Sequence, residues 1–339
     1  MFETTIGRLT AAADLLRPRT LFRTLSRVDS LADRTRELTS AVEALRIQTD
    51  QLLTIQRVDW DRRLELARID KWLDAGRIAA HITAAFDATP LELDPYPHII
   101  VQNWLPDDVY ARIVDAMPAS IFFAHDRDQH WAVPFGVAPL YSRQVWAFVA
   151  NEIVGEMLHT ALNRKFQDAI CRYVRSFVPS LPREIDLTLH PSDGRIMLRR
   201  PGYTLLPHRD PKWGFVTGIV YLAREGDSEA HGTQLYRVRD DAEAPTSRVY
   251  YPEPARCELV RDVPFRANTM FAFLNSEGAH GASIPSDAQP PNLERYIYQF
   301  RLGPTSKVIN RLIELMPPEQ AAMWAGAKTA RANRTGTGY

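Results

Sequence analysis

Cysteine is almost absent from this chain, whose 339 residues carry two, Cys171 and Cys257. Two isolated cysteines make no disulfide framework, and without a Cys-x-x-Cys pair a thiolate zinc site has no ligands. A surplus of charge is missing as well, since 41 Lys and Arg balance 41 Asp and Glu. A dedicated nucleic-acid binder carries a basic excess to displace condensed counterions, so the balance argues against nucleic acid as a partner. No run approaches the roughly 18 consecutive apolar residues of a membrane span. The first twenty residues (MFETTIGRLTAAADLLRPRT) lack the continuous apolar core of a signal peptide. These absences predict a soluble, cytoplasmic protein. Lysine is scarce too: 36 of the 41 basic residues are Arg, a bias that reads first as base composition rather than chemistry.

Proline and glycine are missing from one long stretch. Neither occurs between Pro18 and Gly76, in a chain holding 24 and 16 of them. Within it Leu31, Leu38, Leu45 and Leu52 recur every seven residues, with Val28, Thr35, Val42 and Thr49 three residues ahead of each. That is a heptad seam with β-branched residues at a and Leu at d. The strict register lapses at Asp59, while Ile55, Val58, Leu66, Ile69 and Leu73 keep a shifted apolar stripe, as a stutter would. The pattern predicts a helix over about residues 20–75, roughly 80 Å long. It also predicts a coiled coil over about 26–73, which would make the protein a homo-oligomer. The alternative is an amphipathic helix folded back onto the body. Residues 1–86 are read together as a helical N-terminal region.

Near residue 88 the texture changes. Pro90, Pro95 and Pro97 mark the junction, and His98–Val101 reads as a strand. A short helix comes next, with Asp107 as its expected N-cap and Pro118 beyond its end. Residues 144–178 again read as helical. From 185 onward short runs rich in Val, Ile, Tyr and Phe alternate with turn residues, at 185–190, 194–204, 214–222, 233–239, 257–263, 269–274, 279–284 and 294–302. So many short strands predict a closed or double-sheet β architecture such as a jelly roll. The fold class is then α+β: a domain over 88–305 with its β core at 185–302, flanking helices, and a C-terminal stretch, 306–339, of two short helices and a polar tail.

The chemistry lies in the β block. His208 and Asp210, in PGYTLLPHRDPKWG, stand two apart, so on an extended backbone both face one side. His280 lies 72 residues later, in FLNSEGAHGAS, after the apolar run TMFAF. Two imidazoles and a carboxylate on one face of an octahedral ion leave three positions open. That suits a non-haem Fe(II) which must take a bidentate co-substrate together with O2. A lone His-x-Asp pair is close to what chance supplies in a chain of this size, so its weight comes from the ordered residues downstream of it. Arg295 opens the alternating strand RYIYQFRL, sharing a side with Ile297, Gln299 and Arg301. An arginine on a partly apolar face serves a buried anion, because an unpaired buried charge is costly. Its planar guanidinium can hold a carboxylate through two parallel hydrogen bonds.

With these residues in order, segment 194–302 resembles the double-stranded β-helix of the 2-oxoglutarate- and Fe(II)-dependent oxygenases. The likeness runs through HRD, GIVYLA, GTQLYR, ANTMFAFLNSEGAHGAS and RYIYQF, about a third of the chain. The flank YPHIIVQNWLPDDVYARIVDAMP is similar to the region before the barrel in prolyl-4-hydroxylase-like members, and the heptad helix lies outside the likeness. The resemblance implies that His208, Asp210 and His280 bind Fe(II) and that Arg295 binds the distal carboxylate of 2-oxoglutarate. Many relatives place Ser or Thr two residues after that Arg, where this chain has Ile297. Tyr203, Lys212 and Tyr221 are candidates for the carboxylate's second partner. The implied reaction consumes O2 and 2-oxoglutarate, releases succinate and CO2, and hydroxylates a C–H bond of a peptidyl or small-metabolite substrate. Halogenating relatives replace the carboxylate ligand by Gly or Ala, and Asp210 is present.

Two other classes compete: an inactive β-helix scaffold that works through its coiled coil, and a metal-binding cupin isomerase. The intact His-Asp-His-Arg set disfavours the first. Cupins gather more imidazoles and have no use for the arginine. The densest metal-like string, His125-Asp126-Arg127-Asp128-Gln129-His130, reads as a charged surface loop or a lid, and Trp213 as a pocket wall or a core residue.

Overall fold

The computed structural model describes residues 18–66, 69–127, 130–133, 138–211, 213–240, 249–322 and 324. It divides into two compact units, one up to Arg68 and one from Ile69. In the first unit most of the stretch without proline or glycine forms one helix, α1 (Pro18–Leu66), of 49 residues. Its seam is uncovered, with Val28, Leu31, Leu38, Val42, Leu45 and Leu52 each more than half exposed. The hydroxyls of Thr35 and Thr49, at a positions, donate back to the carbonyls of Leu31 and Leu45 at 2.8 Å. The polar atom of each threonine is thereby satisfied within the helix.

Helix α1 is described as far as Leu66, and residues 67 and 68 lie outside the described residues. A single turn, Ile69–Trp72, comes next, and then Asp74 starts a new helix, α2 (Ala75–Ala88). The Asp74 carboxylate accepts the Arg77 N–H at 3.0 Å, satisfying one of the first-turn donors. Ile78, Ile82 and Phe86 are buried at four-residue spacing. Residues 75–86, read from the sequence as part of the N-terminal region, therefore pack inside the second unit.

That unit holds eleven strands among the described residues: β1 (His98–Gln102), β2 (Ala124–Arg127), β3 (His130–Ala132), β4 (His190–Arg199), β5 (Thr204–His208), β6 (Val216–Tyr221), β7 (Thr233–Val238), β8 (Cys257–Val263), β9 (Thr269–Leu274), β10 (Ala279–Ser283) and β11 (Arg295–Gly303). They form two antiparallel sheets, ordered β1-β9-β6-β11-β4-β3-β2 and β5-β10-β7-β8. Met197, Ile219, Tyr221 and Ile297 of the larger sheet pack with Leu235 and Val263 of the smaller in one core. Central strands β6 and β9 are buried at every position, as strands covered on both faces must be.

Helices cover the other side of the larger sheet. Helix α3 (Asp107–Asp115) buries Val109, Tyr110 and Ile113. The Tyr110 hydroxyl donates to the carbonyls of Tyr221 and Ala223, pinning α3 to the end of β6. Asp107 is the first residue of α3 rather than its cap; the cap position is Pro106. Helix α4 (Leu140–Phe148) continues through a π-wound stretch, Val149–Leu158, into α5 (His159–Phe177). Trp146 of α4 stacks on Tyr298 of β11 with ring centroids 5.4 Å apart. The last described helix is α6 (Ser306–Leu315). Helices and antiparallel strands thus segregate as α+β.

Three local expectations change. The run 185–190 is not a strand; β4 begins at His190. The run 194–204 is split into β4 and β5 at Pro201-Gly202, where Gly202 has φ +91°, a turn conformation open mainly to glycine. Of the charged string at 125–130, His125–Arg127 lie in β2 and His130 in β3, at the edge of the larger sheet, and Asp128 and Gln129 lie outside the described residues. Among the described residues no helix is long and apolar enough to cross a membrane.

Candidate metal centre

His208 ends β5 and His280 lies in β10, and the two are direct partners in the antiparallel register of the smaller sheet. Their imidazole centroids are 4.1 Å apart. Close approach of the two strands depends on Gly281, where a Cβ would stand 2.9 Å from the Leu205 carbonyl oxygen. Asp210 stands two residues after His208 on the same side. Arg209, between them, turns the other way, donating from Nε and Nη2 to the Gly278 carbonyl at 3.2 Å. His208, Asp210 and His280 are all buried, and one potential ligand atom from each lies within 4.8 Å of the others.

The surroundings prepare these side chains to ligate. A hydrogen bond of 2.9 Å between His208 Nδ1 and the Leu206 carbonyl assigns the proton to Nδ1, leaving Nε2 for the cavity. His280 has its pKa pushed well below the ordinary value, by burial first and then by the neighbouring His208, so the ring stays neutral. Burial alone would raise Asp210, but the charge and hydrogen bond of the Arg301 guanidinium lead the effects that reverse this and hold it ionised far below the usual range. Arg301 Nη2 donates to Oδ1 at 2.7 Å, and the Thr217 hydroxyl donates to Oδ2 at 2.8 Å. Asn275 Nδ2 donates in turn to Thr217 Oγ1 at 2.9 Å and to the Gly214 carbonyl at 2.7 Å. A carboxylate has about four lone-pair sites, so Asp210 retains capacity for a metal. Two neutral imidazoles and an oriented carboxylate fit the donor set of a facial Fe(II) site.

The ligands open into a cavity of about 250 Å³ between the two sheets. Its walls include Arg195, Met197 and Arg199 of β4, Ile219 of β6, Thr233 of β7 and Gln299 and Arg301 of β11, with Tyr203, Val249 and Tyr251. On or next to this wall three buried polar atoms, Arg199 Nε, Thr233 Oγ1 and Tyr221 OH, make no hydrogen bond among the described residues. They lie together: the Tyr221 phenol senses both the Thr233 hydroxyl and the Arg199 charge. Burial keeps that phenol protonated, well above its ordinary range, so it remains a donor. Arg199 is stacked over Tyr203, its guanidinium carbon 4.9 Å from the ring centroid.

Arg295 is placed differently from its expected role. It is a β-pair partner of Arg199 and almost fully buried, yet it is not among the residues lining the cavity. Its Nη2 donates to the Ser228 hydroxyl at 2.7 Å and the Ser228 carbonyl at 3.0 Å, and its Nε to the Ala230 carbonyl at 3.2 Å. Asp227 is 3.6 Å from Nη1, and the guanidinium lies over the Phe265 ring. Of the candidate carboxylate partners, Tyr221 supplies one of the three polar atoms, Tyr203 lies against Arg199, and Lys212 lies outside the described residues. Sequence reasoning passed over Arg199. Its signal was the alternation Arg195, Met197, Arg199 just before the Pro-Gly turn, an inward-facing series like that of β11. Trp213 is core: it packs with Ile309 of α6.

No family model matches the chain, and no curated protein matches it. Solved structures do. A Pseudomonas putida prolyl-4-hydroxylase is 18% identical, with 66% of this chain and 98% of that one covered and a TM-score of 0.33. AviO1 from Streptomyces viridochromogenes Tue57 is 16% identical, over 69% and 96% of the two chains, with a TM-score of 0.36. HygX from Streptomyces hygroscopicus, with nickel, 2-oxoglutarate and hygromycin B bound, is 14% identical, over 65% and 85%, with a TM-score of 0.34. At such distances the chemistry has to be argued from the residues themselves.

Proposed function

We propose that this chain is an Fe(II)- and 2-oxoglutarate-dependent dioxygenase, a hydroxylase acting on an unactivated C–H bond, with its two sheets forming a double-stranded β-helix. The observation that carries the reading is the pairing of two preparations in one cavity. A buried His-Asp-His set lines it together with Arg199 and Thr233, and the Tyr221 phenol adjoins these two; Arg199 Nε, Thr233 Oγ1 and Tyr221 OH make no hydrogen bond among the described residues. Buried polar atoms are rarely left without partners unless a ligand supplies them. A carboxylate with two acceptor oxygens matches a guanidinium flanked by two hydroxyls.

In this reading His208, Asp210 and His280 hold Fe(II), and Arg199 with Tyr221 and Thr233 holds the distal carboxylate of 2-oxoglutarate. Arg295 stays in its ring of carbonyls and closes the barrel end. Bound there, Fe(II) and 2-oxoglutarate supply the activation of O2, with release of succinate and CO2. The protein's residues do the rest. Arg301, Thr217 and Asn275 fix the orientation of the Asp210 carboxylate. The apolar walls, Met197 and Ile219, exclude water, and Tyr251, stacked 5.6 Å from His208, borders the place where a substrate C–H bond must sit. The exposed heptad seam of α1 supports the further reading that a second copy of the chain covers it.

Anaerobic titration of the protein with Fe(II) and 2-oxoglutarate tests the proposal. A weak visible charge-transfer band of the chelate is expected, lost in Asp210→Ala and His280→Ala. Arg199→Gln should raise the 2-oxoglutarate needed for the band by at least about tenfold, the scale of losing one partner of a buried charge pair. A protein with no band, or a band indifferent to Asp210 and His280, sinks the enzyme reading. Equal 2-oxoglutarate affinity in Arg199→Gln with loss in Arg295→Gln would return the carboxylate to Arg295.

A further inference from the structure

A second cavity, of about 480 Å³, lies between α5 and the segment 178–189 that leads from it into β4. It shares no lining residue with the cavity at the metal centre. Asn163 of α5 ties the two walls together: its Nδ2 donates to the Leu189 carbonyl at 2.9 Å, and its Oδ1 accepts the Leu189 N–H at 2.8 Å. The segment therefore runs back along the helix, from Val178 at its end to Leu189 near its start. The hollow between them has an apolar floor, where Leu181, Ile185 and Leu187 stay half-buried beside the buried Ile170. Its volume falls within the range of small-molecule sites.

The charge on its walls is uneven. Arg164, Gln167, Cys171 and Arg175 form the strip of α5 that faces it, at three- and four-residue spacing. That strip carries two cations and no carboxylate, and Asp168 of the same helix is not among the lining residues. Asp186 is the single carboxylate among them, and its Oδ1 already accepts from the Thr188 N–H at 2.9 Å and the Thr188 hydroxyl at 2.6 Å. Arg164 is paired with Asp87 at 2.5 Å. Arg175 and Arg183 have no carboxylate partner among the described residues.

These two arginines belong to the same end of the hollow. Arg164 and Arg175 are roughly 16 Å apart along the helix axis at 1.5 Å per residue. Two turns after the helix, Leu181 N–H to the Val178 carbonyl at 3.1 Å and Ile185 N–H to the Pro182 carbonyl at 3.3 Å, keep Arg183 near the Arg175 end. One end is thus neutralised by Asp87 and the other is positive, with apolar side chains between. A guanidinium receives a carboxylate through two parallel hydrogen bonds, and the apolar floor gains from covering by an aliphatic chain.

We infer that this hollow binds a small amphiphilic carboxylate, its head received by Arg175 and Arg183 and its aliphatic body laid over Ile170, Leu181 and Ile185. The site is separate from the metal centre and stands or falls independently of the oxygenase reading.

Calorimetry on the full, metal-free chain tests it with three probes. Octanoate carries both parts, 1-octanol keeps the body without the charge, and acetate keeps the head without the body. Octanoate should bind at least about tenfold more tightly than either, the scale of hydrogen bonds to a charged group. Arg175 and Arg183 are exposed, so changing both to Gln leaves the packing alone; it should bring octanoate down to the level of 1-octanol. Changing both to Lys should retain part of the preference. Leu181→Ser should weaken octanoate and 1-octanol together. Arg199→Gln, in the other cavity, should leave octanoate binding unchanged. No binding of octanoate, octanoate no tighter than 1-octanol or acetate, or a preference that survives the double Gln variant would each overturn the inference. Loss of octanoate binding in Arg199→Gln would place the carboxylate in the metal-centre cavity and overturn it as well.

Discussion

At the scale of single residues, the centre depends on how Asp210 is held. Its two oxygens accept from Arg301 and Thr217, and Thr217 is itself anchored by Asn275. Partners one step behind a metal ligand orient it, and removing one costs about 10–100-fold in metal affinity. Thr217→Val keeps the shape and deletes the donor. It should weaken Mn(II) binding by that factor in a fluorescence or calorimetric titration while leaving the near-UV circular dichroism intact. Unchanged affinity would mean that Arg301 alone positions the carboxylate. The candidate ligands His208 and Asp210 were legible in the sequence because His-x-Asp on a strand puts both side chains on one face. The contact of Arg301 with Asp210 was not, since it joins residues 91 apart.

At the scale of elements, α1 presents its seam as an unpartnered face. Val28 and Val42, with Thr35 and Thr49, occupy a, and leucines occupy d; β-branched a residues with Leu at d favour two parallel strands. Leu38→Glu with Leu45→Glu in the full chain puts charge into two neighbouring layers. The expected outcome is a solution mass by light scattering that falls from dimer to monomer, with the helix content of the second unit retained. A wild-type chain that is already monomeric at micromolar concentration would refute self-association through α1. The heptads were readable because a period of 3.5 residues needs no tertiary information. The end of α1 was less so: the apolar stripe runs on past Leu66, but the Asp74 cap and the buried face of α2 start a different helix.

At the scale of the whole molecule, folding buries histidines in their neutral form. His98 and His280 both have pKa values lowered, in each case chiefly by burial. The unfolded chain protonates these rings as pH falls through about 6.5, while the folded chain resists until lower pH. The unfolded state then binds more protons, and stability drops with falling pH. The metal-free protein should accordingly melt at a lower temperature at pH 5.5 than at pH 7.5, in a calorimetric scan at constant ionic strength. A melting temperature that is flat or rises across that interval would contradict this balance. By itself the sequence determined whatever is local or periodic: the long helix, most strands of the β block, the same-side placement of His208 and Asp210, and the inward series Arg295, Ile297, Gln299 and Arg301. Only the tertiary structure decided which arginine lines the cavity. Arg199 and Arg295 are neighbours in paired strands, equal in charge and indistinguishable by pattern. Packing encloses Arg295 with acceptors from residues 227–230 and leaves Arg199 on the cavity wall. A buried charge is satisfied by whatever surrounds it in space, and that is set by strand pairing rather than by spacing along the chain.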